Sequence, residues 1–581
     1  MIYEGYIKVL YIDMTTGKIK IENRKDLCEY LGGVGVATKL LEETIRPDLD
    51  PLDENQPIVF AIGAASSIFP VITKTVAMFR SPLTGELGES YAGGRMALTM
   101  FLAGYDAMVI QGKAKKPSYL AITRNNVGFK DARAFWGMSS DEVGRVIRDR
   151  EPGGGKRSII RIGPAGENMV HYASVCVDTY RHFGRLGLGA VFGSKNLKAI
   201  SIVGDRNLPI KNFKEYFKVY QDIYKKVTDT EIMAKYHDAG TPINIEPLNA
   251  AGGLPTKNLK QNVFEHGDKI SGETFANQNL VRKMACTGCP VGCIHIGQFR
   301  REFDKGHEYE AVSVGYDYEL IFALGSFLGI KTSDEVLQLI EPVEHLGMDA
   351  MSTGVVLGWA TEAFAKKLIT EEQTLVPLSF GNTANYIKAI EYIAAKKNEF
   401  YTALSEGVEK ASDIYGGKDF AMAFSKNEMA GYHTGYGMIL GSTVGARHSH
   451  LCNGGYSVDQ SMKEFNKEKL VDAIFAEEKE RCMLNSLVIC LFARKVYDRT
   501  TILAALNSIG NNLTDEDLTA IGERIYKAKL RIKKALGYDQ MSVRLPKRLF
   551  ETPSYNGQLN EDTAYELIAM YNQKIEEFMA K

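Results

Sequence analysis

Short apolar runs that alternate with polar positions dominate the first two hundred residues. Residues 6–12 and 18–22 alternate on either side of a turn at residues 14–17, which predicts a β-hairpin over residues 1–22. Turns that contain Gly or Pro separate further strand-like runs, at residues 58–62, 107–111, 119–122, 158–162 and 199–203. The pattern predicts a strand-rich N-terminal domain over residues 1–208.

Helical periodicity replaces this alternation from about residue 211 onward. Apolar positions recur at helical spacing in several long segments, namely residues 213–227, 334–346, 354–367, 383–396, 400–411, 469–490, 518–536 and the last twenty residues. The remainder is therefore predicted to form two mainly α-helical domains, at residues 209–400 and 401–581. The expected fold class is α+β, a β-sheet domain followed by two helical domains.

Composition narrows the class of protein. The chain has 581 residues, 45% apolar and 24% charged, with 70 basic and 71 acidic side chains. This balance argues against a nucleic-acid partner, which favours a basic excess. The N-terminus lacks the plan of a signal peptide, and no stretch approaches the ~18 consecutive apolar residues of a membrane span. We expect a soluble, cytoplasmic protein without a membrane partner.

Three of the eight cysteines are clustered. Cys286, Cys289 and Cys293 form a C-x2-C-x3-C run among small and turn-forming residues. Thiolates at this spacing converge on one metal centre, with a fourth ligand from elsewhere in the chain. A structural zinc site more often has two paired knuckles, and no second pair occurs here. The run therefore favours an iron–sulfur cluster over zinc.

Two segments combine closely spaced glycines with basic side chains. One spans residues 163–198 and includes Arg185, and the other spans residues 74–95 and includes Lys74. Backbone N–H groups that approach a ligand closely, with cations beside them, suit phosphate binding. Neither a P-loop nor a Rossmann turn fits the spacing. A glycine-rich packing turn is the alternative interpretation.

Together these motifs resemble the tungsten-containing aldehyde:ferredoxin oxidoreductase family. The resemblance spans nearly the whole chain and rests on Ser81-Pro-Leu-Thr-Gly85, Ala103-Gly-Tyr-Asp106, Gly163-Pro-Ala-Gly-Glu-Asn168, Gly184-Arg185, Gly193-Ser-Lys-Asn-Leu-Lys-Ala-Ile200, Cys286-x2-Cys289-Pro-x-Gly-Cys293 and Leu545-Pro-Lys-Arg548. It implies tungsten (or molybdenum) held by the dithiolenes of two pterins whose phosphates share Mg2+, a nearby [4Fe-4S] cluster, and an N-terminal sheet domain that forms a base for the cofactor.

The resemblance also assigns metal and cofactor ligands. It points to Cys490 as the fourth cluster ligand, with Cys482 and Cys452 as rivals, and it leaves Cys28 and Cys176 as packing residues. The positions expected to contact the pterin cofactor are Lys74, Tyr91, Gly93, Gly94, Arg185, Leu186, Glu344, Gly347, Asp349, His450 and Asn485.

Some of these positions depart from the family pattern. Lys74 stands where the family usually has an arginine, so the charge is kept and the planar fork is lost. Tyr91 replaces an asparagine that binds magnesium through its backbone. The paired Asp-x-x-Gly-Leu segments become Glu344 to Asp349 and Asn485 to Cys490, so the second segment has an amide in place of the carboxylate.

Two further residues match the family's catalytic positions. Glu319 lies among apolar neighbours, which should raise its pKa and suit a proton shuttle. Glu310 and Asp317, in a locally longer loop at residues 306–318, are the fallbacks. His448 matches the active-site histidine, and His450 competes with it for that role.

The implied activity is oxygen-sensitive oxidation of an aldehyde to a carboxylic acid, with ferredoxin or a related carrier as the electron acceptor. Gln338 and Glu341 stand where some members bind an interface iron through Glu-x-x-His, so that iron site is not expected. A homodimer or additional electron-transfer subunits remain open.

One alternative function is that of the tungsten subunit of a multi-subunit reductase, for example of aromatic acyl-CoA thioesters. The other is a zinc-stabilised scaffold without catalysis.

Overall fold

The computed structural model describes residues 4–207, 210–304 and 306–581. The N-terminal part is built on strands β1 (Ile7–Asp13), β2 (Ile19–Arg24), β3 (Ile58–Ala61), β4 (Thr75–Arg80), β5 (Leu87–Ala92), β6 (Ala107–Gln111), β7 (Ser118–Ile122), β8 (Val127–Asp131), β9 (Arg157–Arg161), β10 (Val175–Val177), β11 (Arg181–Phe183) and β12 (Leu197–Val203). The helices among them are α1 (Gly33–Thr44), α2 (Met96–Ala103), α3 (Ser140–Arg150), α4 (Pro164–Glu167) and α5 (Leu188–Ser194).

The N-terminal strands form two six-stranded sheets. The first has the order β2-β1-β6-β3-β4-β5, and the second has the order β11-β10-β9-β12-β7-β8. The predicted hairpin is the antiparallel pair β1 and β2, although residues 1–3 of that prediction lie outside the described residues. Each further predicted run coincides with a strand, because runs of this length bury one or both faces of a sheet. The strand-rich N-terminal part is confirmed.

Helices make up most of the rest of the chain. They are α6 (Phe213–Thr228), α7 (Glu231–Asp238), α8 (Ile245–Ala250), α9 (Gly272–Gln278), α10 (Tyr318–Leu324), α11 (Ser333–Leu346), α12 (Ala350–Ala365), α13 (Glu371–Thr374), α14 (Thr383–Ala395), α15 (Glu399–Ser405), α16 (Val408–Tyr415), α17 (Tyr436–Val444), α18 (Gly455–Ser461), α19 (Lys467–Ser486), α20 (Arg499–Ser508), α21 (Asp515–Ala535), α22 (Arg548–Glu551) and α23 (Glu561–Ala580). The α+β class is confirmed.

A small sheet interrupts the helical part beside the cysteine run. Its strands are β13 (Leu280–Met284), β14 (Ile294–Asp304) and β15 (Glu308–Tyr316), followed later by the short pair β16 (Ala423–Phe424) and β17 (Asn427–Glu428). The expectation of a loop at residues 306–318 was wrong, because β15 alternates polar and apolar side chains along most of that segment.

One continuous apolar core joins the sheets to the helices, from Ile7 to Tyr571. The domain boundaries at residues 208–209 and 400 therefore stay predictions, and Leu208 and Pro209 lie outside the described residues. Among the helices that the structure describes, none combines the length and the apolar character needed to cross a bilayer.

Two glycines let the N-terminal sheet approach the segment that follows α19. A Cβ on Gly33 would lie 2.4 Å from the carbonyl oxygen of Asn485, and a Cβ on Gly63 would lie 2.2 Å from that of Leu487. Both distances are far below van der Waals contact, so only glycine fits. This close contact holds residues 485–490, which include Cys490, against the N-terminal part of the chain.

Candidate active site and cysteine centre

The structure brings Cys490 to the cysteine run through one turn residue of the N-terminal part, Val71, whose φ is +65°. The N–H of Val71 donates to the carbonyl of Gly288 at 3.2 Å, and the N–H of Cys490 donates to the carbonyl of Val71 at 3.3 Å. Within the run, the N–H of Cys289 donates to the carbonyl of Cys286 at 3.1 Å. These bonds place the fourth predicted ligand beside the other three.

Two cations face this group of thiols. Burial raises the pKa of Cys289 to about 12 and that of Cys293 to about 11. Burial also acts to raise the pKa of Cys286, but Lys74 and Arg181 outweigh it, so that this pKa falls below its usual value. The cations favour the thiolate form that a metal centre requires.

Gly93 lies between Lys74 and Cys286. A Cβ at this position would be 2.5 Å from the sulfur of Cys286 and 3.2 Å from the Nζ of Lys74. A side chain here would therefore fill the space in front of the thiol. The neighbouring Gly94 has φ of +93° and accepts a hydrogen bond from the N–H of Thr287 at 3.1 Å, which joins β5 to the cysteine run.

The spacing of the thiols bears on the kind of metal centre. Each thiol is close enough to influence the pKa of the others. Within the described ranges, however, no three His, Cys, Asp or Glu side chains lie close enough together to hold a single metal ion. A cluster binds each thiolate through a different iron atom, so its ligands stand further apart than the tetrahedral ligands of zinc.

Arg185 joins the second glycine-rich segment to the helical part. Its Nε lies 3.1 Å from Oδ2 of Asp349, and its Nη2 donates to the carbonyl of Glu428 at 2.8 Å. The next carbonyl, of Leu186, accepts from the hydroxyl of Ser81 at 2.8 Å. Arg185, Leu186 and Asp349, which were predicted at the pterin, are thus neighbours.

Glu344 and Gly347 lie at the end of α11. Burial raises the pKa of Glu344 to about 7, and the buried His182 Nε2, which has no hydrogen-bond partner, is 3.9 Å from its carboxylate. Gly347 ends the helix in the left-handed conformation, with φ of +78°. Its Cβ would meet the backbone N of Gly163 at 2.9 Å, so the 163–168 motif packs directly on this segment.

The side chain of Tyr91 is already hydrogen-bonded within the protein, and Asn485 makes its close contact through its backbone. The hydroxyl of Tyr91 donates to Oε1 of Glu89 at 2.7 Å, and the guanidinium of Arg447 lies 5.0 Å from the centre of its ring. Asn485 is buried in the last turn of α19 and presents its carbonyl to Gly33.

Glu319 and His450 meet in the interior. The N–H of Gly431 donates to Oε2 of Glu319 at 3.0 Å, and Nε2 of His450 lies 3.1 Å from Oε1. Burial raises the pKa of Glu319 to about 8. Burial, reinforced by the charge of Arg185, lowers the pKa of His450 well below its usual value. Near neutral pH the pair therefore carries little net charge.

The fallback acids have other roles. Asp317 caps the N-terminus of α10, where its Oδ1 accepts from the N–H of Glu319 at 3.1 Å. Glu310 is exposed on β15 and pairs with Arg301 at 2.6 Å. Arg301 also pairs with Glu341, the position that corresponds to the family's interface iron ligand.

Several buried polar atoms around Glu319 have no hydrogen-bond partner. They are Nδ1 of His450, Oδ1 of Asn427 and Nε of Arg447. An unsatisfied buried polar group costs about 1–3 kcal/mol, so such groups are normally paired. Their presence together, next to Arg185, fits a polar ligand such as a pterin cofactor or a substrate.

His448 does not reach Glu319. Its Nδ1 is 2.9 Å from the carbonyl of Thr443, and its Nε2 lies 3.1 Å from Oε2 of Glu86 and 2.9 Å from Nζ of Lys533. The backbone of His448 has φ of +53°, which turns the chain between the two histidines. Of the two candidates, the structure brings His450 and not His448 to the carboxyl group.

Two buried ionic groups fix the loop at residues 445–450, and sequence reasoning missed both. Lys529 lies 2.6 Å from Glu89, whose backbone carbonyl accepts from Arg447 at 3.0 Å. Lys533, one helical turn later on α21, lies 2.8 Å from Glu86. Each lysine is separated from its partner by more than four hundred residues, so no local motif marks the pairing. The one local signal is two lysines four apart on the apolar side of a helix.

Four cysteines that can ligate a metal centre and a buried carboxyl–imidazole pair that can exchange a proton are features that suit an oxidoreductase. Residues 9–204 match the family model described as aldehyde ferredoxin oxidoreductase, N-terminal domain. Residues 218–578 match the model described as aldehyde ferredoxin oxidoreductase, domains 2 & 3. The chain belongs to the aldehyde ferredoxin oxidoreductase family, as its motifs predicted.

Known relatives cover nearly its full length. The chain is 31% identical over 578 residues to the tungsten-containing aldehyde ferredoxin oxidoreductase of Pyrococcus furiosus, covering 96% of this chain and 93% of the relative. It is 31% identical over 437 residues to an aliphatic sulfonate oxidoreductase, WOR-like subunit, of the same organism, covering 71% and 67%. In fold it is similar to the active site complex BamBC of benzoyl coenzyme A reductase, with a TM-score of 0.80, 19% identity and coverage of 98% and 94%.

Proposed function

We propose that the chain is a tungsten–bispterin oxidoreductase (or its molybdenum equivalent) that oxidises an aldehyde to a carboxylic acid. The overall reaction is RCHO + H2O → RCOOH + 2 H+ + 2 e−. The observation that carries the proposal is the buried Glu319–His450 pair, in which Nε2 of His450 lies 3.1 Å from Oε1 of Glu319 and Nδ1 of His450 has no hydrogen-bond partner. The pair can exchange a proton with water and still present a ring nitrogen to a carbonyl group.

The cofactor, when bound, supplies a Lewis acid and an acceptor for two electrons. Arg185, Asp349 and Glu344 are the side chains proposed to hold the pterins, together with the close backbone approach at Gly93, Gly94 and Gly347. A shared Mg2+ between the pterin phosphates belongs to the same proposal. Lys74 lies between this site and the thiols, and it keeps a cation where the family usually has arginine.

Glu319 handles the proton of the attacking water. A pKa of about 8 lies close to a neutral working pH, where a general base is most effective because it is partly ionised yet basic enough to take a proton. His450 is held neutral by burial and by nearby arginines, so it orients the carbonyl by hydrogen bonding and does not compete as an acid. This assignment replaces His448 with His450.

The four cysteines are proposed to hold a [4Fe-4S] cluster that passes the electrons one at a time to ferredoxin or a related carrier. Two observations support this. Backbone hydrogen bonds bring Cys490 next to the cysteine run, and the positive charges of Lys74 and Arg181 favour the thiolate form of Cys286.

A second candidate is the catalytic subunit of a larger reductase. Phe303 and Tyr309 project from the β14–β15 hairpin and are 58% and 56% exposed. Large apolar side chains this exposed at the end of a hairpin are typical of a surface that another subunit covers. Additional subunits in stoichiometric amounts after anaerobic purification from the native host would favour this function.

The deciding experiment is elemental analysis of anaerobically purified protein, with aldehyde-dependent reduction of a viologen dye. Tungsten or molybdenum with about four irons per chain and dye reduction support the proposal. Zinc alone, without pterin or dye reduction, would favour the scaffold and end the proposal. The Glu319→Gln variant serves as the matched control, because it should keep the metals and lose the activity.

A further inference from the structure

The backbone hydrogen bond to Glu319 is the last step of a chain of hydrogen bonds that begins on the same helix. The hydroxyl of Tyr318, the residue before Glu319 on α10, donates to the carbonyl of Gly431. The N–H of Tyr432, in the same peptide unit, donates to the carbonyl of Ala430 at 2.8 Å. The N–H of that second peptide unit belongs to Gly431 and donates to Oε2 of Glu319 at 3.0 Å. Two peptide units therefore connect the hydroxyl to the carboxyl group.

Hydrogen bonds in series reinforce one another. A carbonyl that accepts a bond polarises its peptide unit, which makes the N–H of that unit a stronger donor. In this chain the direction of donation is the same at every step, from the hydroxyl of Tyr318 to the carboxyl group of Glu319. A hydrogen bond to a charged acceptor is about twice as strong as one between neutral groups. The chain therefore favours the ionised form of Glu319.

Gly431 is closely packed between two rings of α10. A Cβ at this position would lie 2.7 Å from the ring of Phe322 and 2.9 Å from that of Tyr318, so only glycine fits. Tyr318 is itself buried, and burial, reinforced by the charge of Glu319, raises the pKa of Tyr318 well above its usual value. Its hydroxyl thus stays protonated and able to donate when the carboxyl group ionises.

Other charged groups near Glu319 have smaller effects than this hydrogen bond. Burial raises the pKa of Glu319 most strongly, and the hydrogen bond from Gly431 is the largest influence that opposes it. Arg185 also lowers this pKa, but by less. The titratable groups that face the carboxyl group are Asp317, Arg185, Asp349, His450, Tyr318 and Tyr432.

We propose that Tyr318 is a positioning residue, whose hydroxyl holds the N–H of Gly431 on Glu319 and so favours the carboxylate form. Tyr318 touches neither the water nor the aldehyde in this role, and it acts through the two peptide units. The inference rests on the proposed function in one respect, that Glu319 is the base. The hydrogen-bond chain itself can be tested without turnover.

The test uses Tyr318→Phe, which removes only the hydroxyl. The N–H of Gly431 then supports the carboxylate less, so Glu319 should ionise at a higher pH, by about one pH unit for the partial loss of a hydrogen bond to a charged group. Infrared difference spectra of the anaerobically purified enzyme, recorded against pH, follow the protonated carboxyl group. The Glu319→Gln variant identifies its band.

Tyr316→Phe is the matched control. Tyr316 is buried at the end of β15, two residues before Tyr318, and its hydroxyl has no hydrogen-bond partner. Its removal should leave the ionisation of Glu319 unchanged. A second variant, Tyr318→3-fluorotyrosine, has a hydroxyl that donates more strongly and should shift the ionisation in the opposite direction, to lower pH.

Kinetics separate positioning from a merely structural role. With an aldehyde and a viologen dye, Tyr318→Phe should lower kcat about tenfold at pH 7, because a shift of one unit reduces the ionised fraction about tenfold there. The loss in kcat should disappear at high pH, and KM should change little. A structural defect would instead lower kcat at every pH.

Two outcomes would overturn the role of Tyr318. One is an infrared titration of Glu319 that is unchanged in a folded Tyr318→Phe variant, and the other is an equal shift in Tyr316→Phe. If no aldehyde reduces the dye, the proposed function fails, and the infrared titrations of the Tyr318 variants still decide whether the hydrogen-bond chain acts on Glu319.

Discussion

The cysteine centre and the Glu319–His450 pair are both buried, yet burial has opposite outcomes at the two sites. At Cys286 the cations Lys74 and Arg181 overcome desolvation and favour the charged thiolate. At Glu319 the charge of Arg185 opposes desolvation without overcoming it, and the pKa rises to about 8. Burial alone drives a group to its neutral form, and the placement of nearby charge decides whether that tendency succeeds. The surroundings of Cys286 therefore favour a charge, and those of Glu319 favour a bound proton.

The largest expected effect comes from removing a thiol of the first region. Cys490→Ala should lower the iron content and reduce dye-coupled turnover by more than the roughly hundredfold known for outer-shell changes at metal sites. Iron analysis and electron paramagnetic resonance of the reduced protein measure this. Cys482→Ala is the matched control, since that thiol is buried on α19. Equal iron in the two variants would remove Cys490 from the ligand set.

The next effect concerns the proton-holding region. Glu319→Gln should lower kcat about 10²–10⁴-fold, the usual contribution of a general acid or base. Because the pKa of Glu319 is raised to about 8, the base form is scarce below that pH. Turnover of the unmodified enzyme should therefore rise as the pH increases through about 8. A profile that keeps the same rise in the variant would show that another group titrates.

A third prediction separates the two histidines. His450→Gln should lower kcat about a hundredfold, at the lower end for an acid–base group, because its ring meets Glu319. His448→Gln should change kcat only a few-fold, since its ring contacts Glu86 and Lys533. Steady-state kinetics of the two variants, side by side, measures the difference. A larger loss in His448→Gln would reverse the assignment.

The smallest effect on turnover is expected at the ionic groups that fix the loop at residues 445–450. Lys533→Met leaves Glu86 and its neighbours without the buried cation, which costs about 3–5 kcal/mol of stability and lowers the midpoint of thermal unfolding. Lys533→Arg should keep most of that stability, because it keeps the buried positive charge. Lys534→Met, at the exposed neighbouring position, should stay within about 0.5 kcal/mol. Equal midpoints for Lys533→Met and Lys534→Met would contradict a role for this ion pair.

Features that depend on residues close together in the sequence were predicted correctly. The hairpin at β1 and β2 and the cysteine run have short-range signals, and the structure has both features near the predicted positions. Helix α1 was missed because it begins Gly33-Val-Gly-Val36, residue types of low helix propensity. Strands β4 and β5 were interpreted only as a basic, glycine-containing segment, because both are buried almost throughout.

The candidate site was harder to predict where contacts between distant parts of the chain decide which side chains meet. Two histidines two residues apart in a loop cannot be told apart by spacing. The left-handed turn at His448, with φ of +53°, sends one ring to Lys533 and the other to Glu319. The ion pairs of Glu86 and Glu89 with α21 likewise depend on tertiary packing, which no sequence period records.

The glycine contacts under residues 485–490 have a consequence for biosynthesis. Cys490 joins the other three thiols only when this late segment of a 581-residue chain has docked against Gly33 and Gly63. A ribosome has made most of the protein by then, so any metal centre on these thiols is completed late in synthesis at the earliest. The thiols at residues 286–293 lack their fourth partner until that later segment has folded onto the N-terminal part.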